Sequence, residues 1–63
     1  MPAAAPSAPA LHNNLGVALL RSGDLDAAIH HFQLALRLDP AHADARSNLA
    51  LATAAKSRPP SAK

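Results

Sequence analysis

The four histidines of this 63-residue chain are its strongest candidates for chemistry, since a neutral imidazole binds metal ions and a titrating one moves protons. His30 and His31 are adjacent and therefore point about 100° apart on a helix, and no two histidines have the i, i+4 spacing that suits one ion. Asp26 and His30 have that spacing, but it favours an exposed surface pair. The sequence therefore predicts no metal site. We expect His12 to be a partly buried core residue and His42 a surface residue in a first helical turn.

Other residue types that catalyse reactions are scattered along the chain. There is no cysteine, no glycine-rich phosphate loop and no pair of carboxylates in an evident cleft. The serines fall in turns, tails or helix surfaces without a base to activate them. We therefore expect a protein that is not an enzyme and has no cofactor and no small-molecule substrate.

The charge and hydrophobicity of the chain exclude further classes of partner. The net charge is +2, and three of the six Lys and Arg residues, Lys56, Arg58 and Lys63, lie at the C-terminus, which favours a solubilising tail over a phosphate-binding patch. No run approaches the roughly 20 apolar residues of a membrane span, and the N-terminus lacks a basic region followed by an apolar block. We expect neither a membrane nor a nucleic acid as partner, and a cytoplasmic location.

Capping signals divide the chain into three helices. Pro9 suits a first helical turn, Gly23 suits a left-handed stop, and Asp24 suits the N-cap of a second helix. Asp39 and Pro40 repeat the device and open a third helix. The predicted helices span about 9–22, 25–38 and 40–57, within a folded unit at 9–57. The flanking segments 1–8 and 58–63, rich in Pro, Ala and Ser, are expected to be disordered.

The apolar residues of each helix predict a thin core, because hydrophobic content is 49% but only one residue is aromatic. The second helix has the clearest stripe, at i, i+3, i+4 and i+7 spacing: Leu25, Ala28, Ile29, Phe32, Ala35 and Leu36. In the first helix we expect the buried face to contain Leu11, Leu15, Ala18, Leu19 and Ser22, with Gly16 allowing a close approach. The third helix offers little beyond Leu49, Leu51 and alanines.

Part of the first helix recurs after 34 residues, because Asn48-Leu49-Ala50-Leu51 echoes Asn14-Leu15-Gly16-Val17. With His12-x2-Leu15-Gly16-x2-Leu19, Ala28-x3-Phe32, Ala35 and Pro40, the chain resembles the tetratricopeptide repeat, a helix-turn-helix unit of 34 residues. It departs from the pattern at His12, where tryptophan is usual, and at Leu19 and Thr53, where tyrosine is usual. The resemblance covers one repeat and the first helix of a second. It implies an all-α helix-turn-helix repeat with a third, capping helix.

The same resemblance implies a concave groove, lined by the first helix of each repeat, that takes a peptide or helix. Asn14 and Asn48 are equivalent, as are Val17 and Leu51, which predicts amides beside aliphatic side chains; ordinary surface residues remain the alternative. Asp44 stands at a position where relatives that bind carboxylates have lysine, which argues against that ligand. The groove positions carried over are Asn13, Asn14, Val17, Leu20, Arg21, Asp44, Ser47, Asn48 and Leu51.

A second stripe on the middle helix, formed by Ala27, His31, Leu34 and Leu38, is a possible association face. Three interpretations remain open. The resemblance favours a small protein-interaction module that binds another protein or a second copy of itself, through the groove or by helix stacking. The second is a fragment of, or design derived from, a longer array with a purely structural role, and the third and least favoured is a metal-binding or nucleic-acid accessory peptide.

Overall fold

The computed structural model describes residues 7–58, which form three α-helices and contain no strand. They are α1 (Ala8–Arg21), α2 (Leu25–Leu38) and α3 (Ala43–Ser57). The all-α prediction is confirmed. Residue 8, placed by the sequence in a disordered lead-in, is instead the first residue of α1, because the Ser7 side chain caps the helix by accepting a hydrogen bond from the Ala10 N–H. Of the disordered tails predicted at 1–8 and 58–63, residues 1–6 and 59–63 lie outside the described residues, and Arg58 is the C-cap of α3.

The turn between α1 and α2 follows the capping signals. Gly23 has a φ of 86°, in the left-handed region that a residue with a side chain adopts only at a cost. Its N–H bonds the Leu20 carbonyl, and the N–H of Asp24 bonds the Leu19 carbonyl. Asp24 then caps α2 by accepting from the Ala27 N–H at 3.4 Å. This tight turn makes α1 and α2 an antiparallel hairpin.

The third helix begins at Ala43 and not, as the sequence predicted, at Pro40. Asp39 ends α2, and its Oδ1 accepts from the Ala41 N–H at 3.1 Å. That bond and the one from the His42 N–H to the Asp39 carbonyl, at 3.0 Å, close a local turn over residues 39–42, so the helix starts only after it. His42 takes over as the N-cap through its Nδ1, which accepts from the Ala45 N–H at 3.2 Å. His42 is therefore a half-buried cap and not an exposed first-turn residue.

The core lies along α2, which packs against both α1 and α3. Ala28, Phe32 and Ala35 are fully buried, as the stripe on the second helix predicted. Phe32 is the largest fully buried side chain of the described residues. Partly buried side chains from all three helices pack around the cluster: Val17, Leu19, Leu20, Ile29 and Leu49.

The predicted inner face of α1 is largely wrong, although the close approach expected at Gly16 is confirmed. Leu11 and Leu15 are 53% and 46% exposed, and Ala18 and Ser22 are also exposed, so that of this stripe only Leu19 packs on the core. The residues of α1 that are buried are Asn13 and Gly16. The reason is steric: a Cβ built on Gly16 would lie 2.5 Å from Cε1 of Phe32. The missing side chain lets the aromatic ring reach the α1 backbone, and this contact sets the rotation of α1 about its axis.

Candidate interaction surfaces

Two of the predicted groove amides bond to each other. The Nδ2 of Asn48 donates to the Oδ1 of Asn13 at 3.0 Å, which links α1 to α3 across 35 residues of sequence. Asn13 is only 7% exposed, so its oxygen depends on this partner. The pair therefore joins two helices, and these side-chain atoms are already engaged.

We expect Asn48→Ala to lower the free energy of unfolding by about 1–3 kcal/mol, because it leaves a buried carbonyl oxygen without a donor. The measurement is urea denaturation of the wild type, the two single alanine variants and the double variant Asn13→Ala/Asn48→Ala. The double variant should lose less than the sum of the single losses, since both remove the same bond. Additive losses would show that the two amides are not coupled.

The other groove positions differ in how far they are presented. Val17 and Leu20 are partly buried against the core, whereas Leu51 is 61% exposed. The remaining members of the predicted groove are exposed on α1 and α3: Asn14, Arg21, Asp44 and Ser47. In this predicted peptide groove, Leu51 is therefore the one aliphatic side chain that is mostly exposed, and the other exposed side chains are polar.

The predicted association face on α2 is partly covered. Ala27, His31 and Leu34 are half-buried, and Leu38 is 56% exposed. His31 contacts His12 of α1, with 3.2 Å between their Nδ1 atoms and 5.4 Å between their ring centroids. His12 is half-buried, as predicted. The comparison of spacings within one helix missed this pair because its members lie on different helices.

Asp26 pairs not with His30, as the sequence predicted, but with a lysine of α3. Asp26 instead forms an ion pair with Lys56, near the end of α3. Both side chains are more than half exposed, so the pair contributes little to stability. It does join the N-terminal turn of α2 to the C-terminal turn of α3.

An opening that the sequence did not predict lies on α3. It is an open, mostly apolar groove of about 580 Å³. Most of its lining comes from one face of α3, and α2 contributes one leucine at the edge. The lining residues are Leu36, Arg46, Leu49, Ala50, Thr53, Ala54 and Ser57.

The 34-residue offset relates the open groove on α3 to a packed surface of α1. Ala50 is the equivalent of Gly16, and Arg46 is the equivalent of His12. In α1 those two positions contact Phe32 and His31 of α2. The face of α1 that packs against α2 therefore corresponds to the face of α3 that no helix of the described residues covers. The open groove on α3 could have been located by transferring the α2-facing positions of α1 to α3 with the 34-residue offset.

The opposite correspondence holds for the exposed face of α1. Leu11 and Ala18 are exposed, but their equivalents Ala45 and Ala52 are fully buried against the preceding helices. Leu15 is 46% exposed, whereas its equivalent Leu49 packs on the core. The three-helix unit thus has two uncovered faces, one on α1 and one on α3. Each is equivalent, by the 34-residue offset, to a packed face of the other helix.

None of the described helices is long and apolar enough to cross a membrane.

Comparison with known proteins gives one family. Searches of curated proteins and of solved structures gave no significant match. The family model of the tetratricopeptide repeat matches residues 9–42, more than half of the chain, and its limits coincide with the α1–α2 hairpin and the following turn. The chain belongs to the tetratricopeptide repeat family.

Proposed function

We propose that this chain is a protein-interaction module whose binding surface is the open groove on α3, and that its ligand is one amphipathic helix. Tetratricopeptide repeats are in general protein-interaction modules and not enzymes. The observation that carries the proposal is the equivalence of Gly16 and Ala50. The first is covered by α2, and the second lines an exposed apolar groove.

Hydrophobic burial supplies the driving force. Leu36, Leu49, Ala50 and Ala54 present apolar surface that an incoming helix would remove from water, at about 25 cal/mol per Å². Repeat proteins gain much of their stability from the interfaces between neighbouring helices, and a unit this small buries little surface alone. Binding would therefore give α3 the kind of helix partner that α2 gives α1. Arg46 at the edge of the groove favours an acidic residue on the ligand.

The side chain that the ligand inserts should be smaller than the one α2 uses. Gly16 admits the Phe32 ring only because it lacks a Cβ, which would lie within 3 Å of three ring atoms. Ala50 carries that Cβ. An aromatic side chain in the equivalent place would therefore overlap it, whereas a leucine has fewer atoms there. We infer a ligand helix with an aliphatic residue at its centre.

Self-association is the second candidate, because Leu11 and Leu15 are about half exposed on a face whose equivalent in α3 is buried. Peptide binding in the groove predicted between α1 and α3 is less favoured than these two functions, since the bond between Asn13 and Asn48 engages two of its amides. Leu38, 56% exposed on the predicted association face of α2, is a further apolar side chain available to a second copy.

The test is an NMR titration with a synthetic peptide of residues 24–39 that carries Phe32→Leu. A free helix of this length is only marginally formed, so we expect weak binding, detectable at millimolar peptide. Amide shifts should concentrate between Arg46 and Ser57 and disappear in the Ala50→Glu chain. The matched control is Ala55→Glu, also exposed on α3 but not part of the lining. Shifts confined to Leu11–Ala18, or none at all, would contradict the proposal.

A further inference from the structure

We propose that His12 and His31 form a two-nitrogen binding site for a divalent transition-metal ion, with zinc as the reference ion. The observation is their separation: the two Nδ1 atoms lie 3.2 Å apart, although the residues are on different helices. This site is independent of the open groove on α3, because neither histidine lines that groove.

The distance fits one ion held by both nitrogens. Zinc–imidazole bonds are about 2.0–2.1 Å long, so two nitrogens 3.2 Å apart subtend an angle of about 100° at the metal, close to the tetrahedral value. Without metal, a bond between two Nδ1 atoms requires a proton on one of them only. A bound ion takes the place of that proton, which moves to Nε2 of the same ring, so that each neutral imidazole coordinates through its Nδ1. The ring centroids are 5.4 Å apart, so the two Nδ1 atoms point almost directly at each other, and each half-buried ring must turn for its lone pair to reach a shared ion.

The helical neighbours of the two histidines do not oppose a cation. The residues three and four positions away from each histidine on its helix are uncharged, so these helical neighbours place no lysine or arginine beside the site. They are Ala8, Pro9, Leu15, Gly16, Ala27, Ala28, Leu34 and Ala35. His30 lies edge-on to His31, with 5.4 Å between ring centroids, and is exposed.

The chain supplies only part of the coordination shell. Within residues 7–58 there is no group of three or more His, Cys, Asp or Glu that could hold a metal. Water therefore fills the remaining positions, and the affinity is moderate. Because the imidazoles must be neutral to bind, zinc affinity should fall as the pH is lowered. The ion would tie α1 to α2, so its binding should raise the melting temperature of the hairpin.

The experiment is a zinc titration by calorimetry at pH 7.5 in a non-coordinating buffer, with magnesium as the negative control. The wild type should bind one zinc ion per chain, and His12→Gln and His31→Gln should each weaken binding at least about tenfold. The matched control is His30→Gln, which removes a neighbouring exposed histidine and should change the affinity less than threefold. Circular dichroism of each metal-free variant checks that it is folded.

Imidazole NMR of the wild type tests the site without any substitution. Zinc should shift the Nδ1 resonances of His12 and His31 together, and those of His30 and His42 much less. The proposal is overturned by any of three results: no zinc binding below millimolar concentration, His12→Gln or His31→Gln within threefold of the wild type, or an equal loss in His30→Gln.

Discussion

A chain in which residues 57–63 are replaced by a copy of residues 23–38, with leucine in place of the copied phenylalanine, is expected to melt at least about 10 °C above the wild type. The 34-residue offset aligns Ser57 with Gly23, so the copied turn and helix would start where α2 starts after α1. The added helix would cover the open groove on α3 and bury Leu49 and Ala54. In a domain of this size each 1 kcal/mol of added stability raises the melting temperature by about 4–8 °C.

Two controls separate docking of the copied helix from a general effect of length. Ala50→Glu in the extended chain should remove most of the gain, and Ala55→Glu should leave it in place. Restoring phenylalanine to the copied helix should reduce the gain when residue 50 is alanine and increase it when residue 50 is glycine, because only glycine leaves room for the ring. Thermal denaturation followed by circular dichroism measures all of these chains. An extended chain no more stable than the wild type would contradict the account.

The second large effect is expected from Gly16→Ala, which should destabilise the chain. In an ordinary helix interior this change stabilises by about 1 kcal/mol, because alanine is the better helix former. Here the new Cβ would lie 2.5 Å, 2.7 Å and 2.9 Å from three atoms of the Phe32 ring. Phe32 is fully buried, so the ring has little space to move away. Overpacking of this kind costs about 1–3 kcal/mol, which after the gain in helix propensity leaves a net loss of up to about 2 kcal/mol.

The sign of the Gly16→Ala effect is the decisive result. Chemical denaturation should show a lower midpoint than the wild type, and the double variant Gly16→Ala/Phe32→Leu should be more stable than the sum of the two single losses predicts. Asn14→Ala, a change at an exposed position of the same helix, serves as the control and should change stability little. A more stable Gly16→Ala chain would mean that Phe32 does not pack on α1 at this point.

The sequence predicted the elements of the fold well because their signals are local. The caps at Asp24 and the left-handed Gly23 act within one turn, and the apolar stripe of α2 needs only helical periodicity. The start of α3 was misplaced because Asp39 and Pro40 satisfy the rules for a cap and also those for a turn. Only the hydrogen bond from Ala41 to Asp39 decides between them.

The buried face of α1 could not be predicted from hydrophobicity. Counting leucines selects Leu11 and Leu15, but the packed face is chosen by the smallest residue, Gly16, and by an amide, Asn13. Both owe their burial to distant partners, the Phe32 ring and the Asn48 side chain. The peptide-binding role of the groove predicted between α1 and α3 stays a prediction. The open groove on α3 follows only from the contacts of α1, transferred to α3 by the 34-residue offset, and not from the sequence pattern.

The most direct measurement of the central claim is the set of NMR distance contacts between the copied helix and α3 in the extended chain. The account predicts contacts from the copied helix to the methyl groups of Ala50, Thr53 and Ala54, with Leu11 and Leu15 still exposed to water. Contacts to Leu11 and Leu15 in place of these, or a copied helix that contacts neither face, would contradict it.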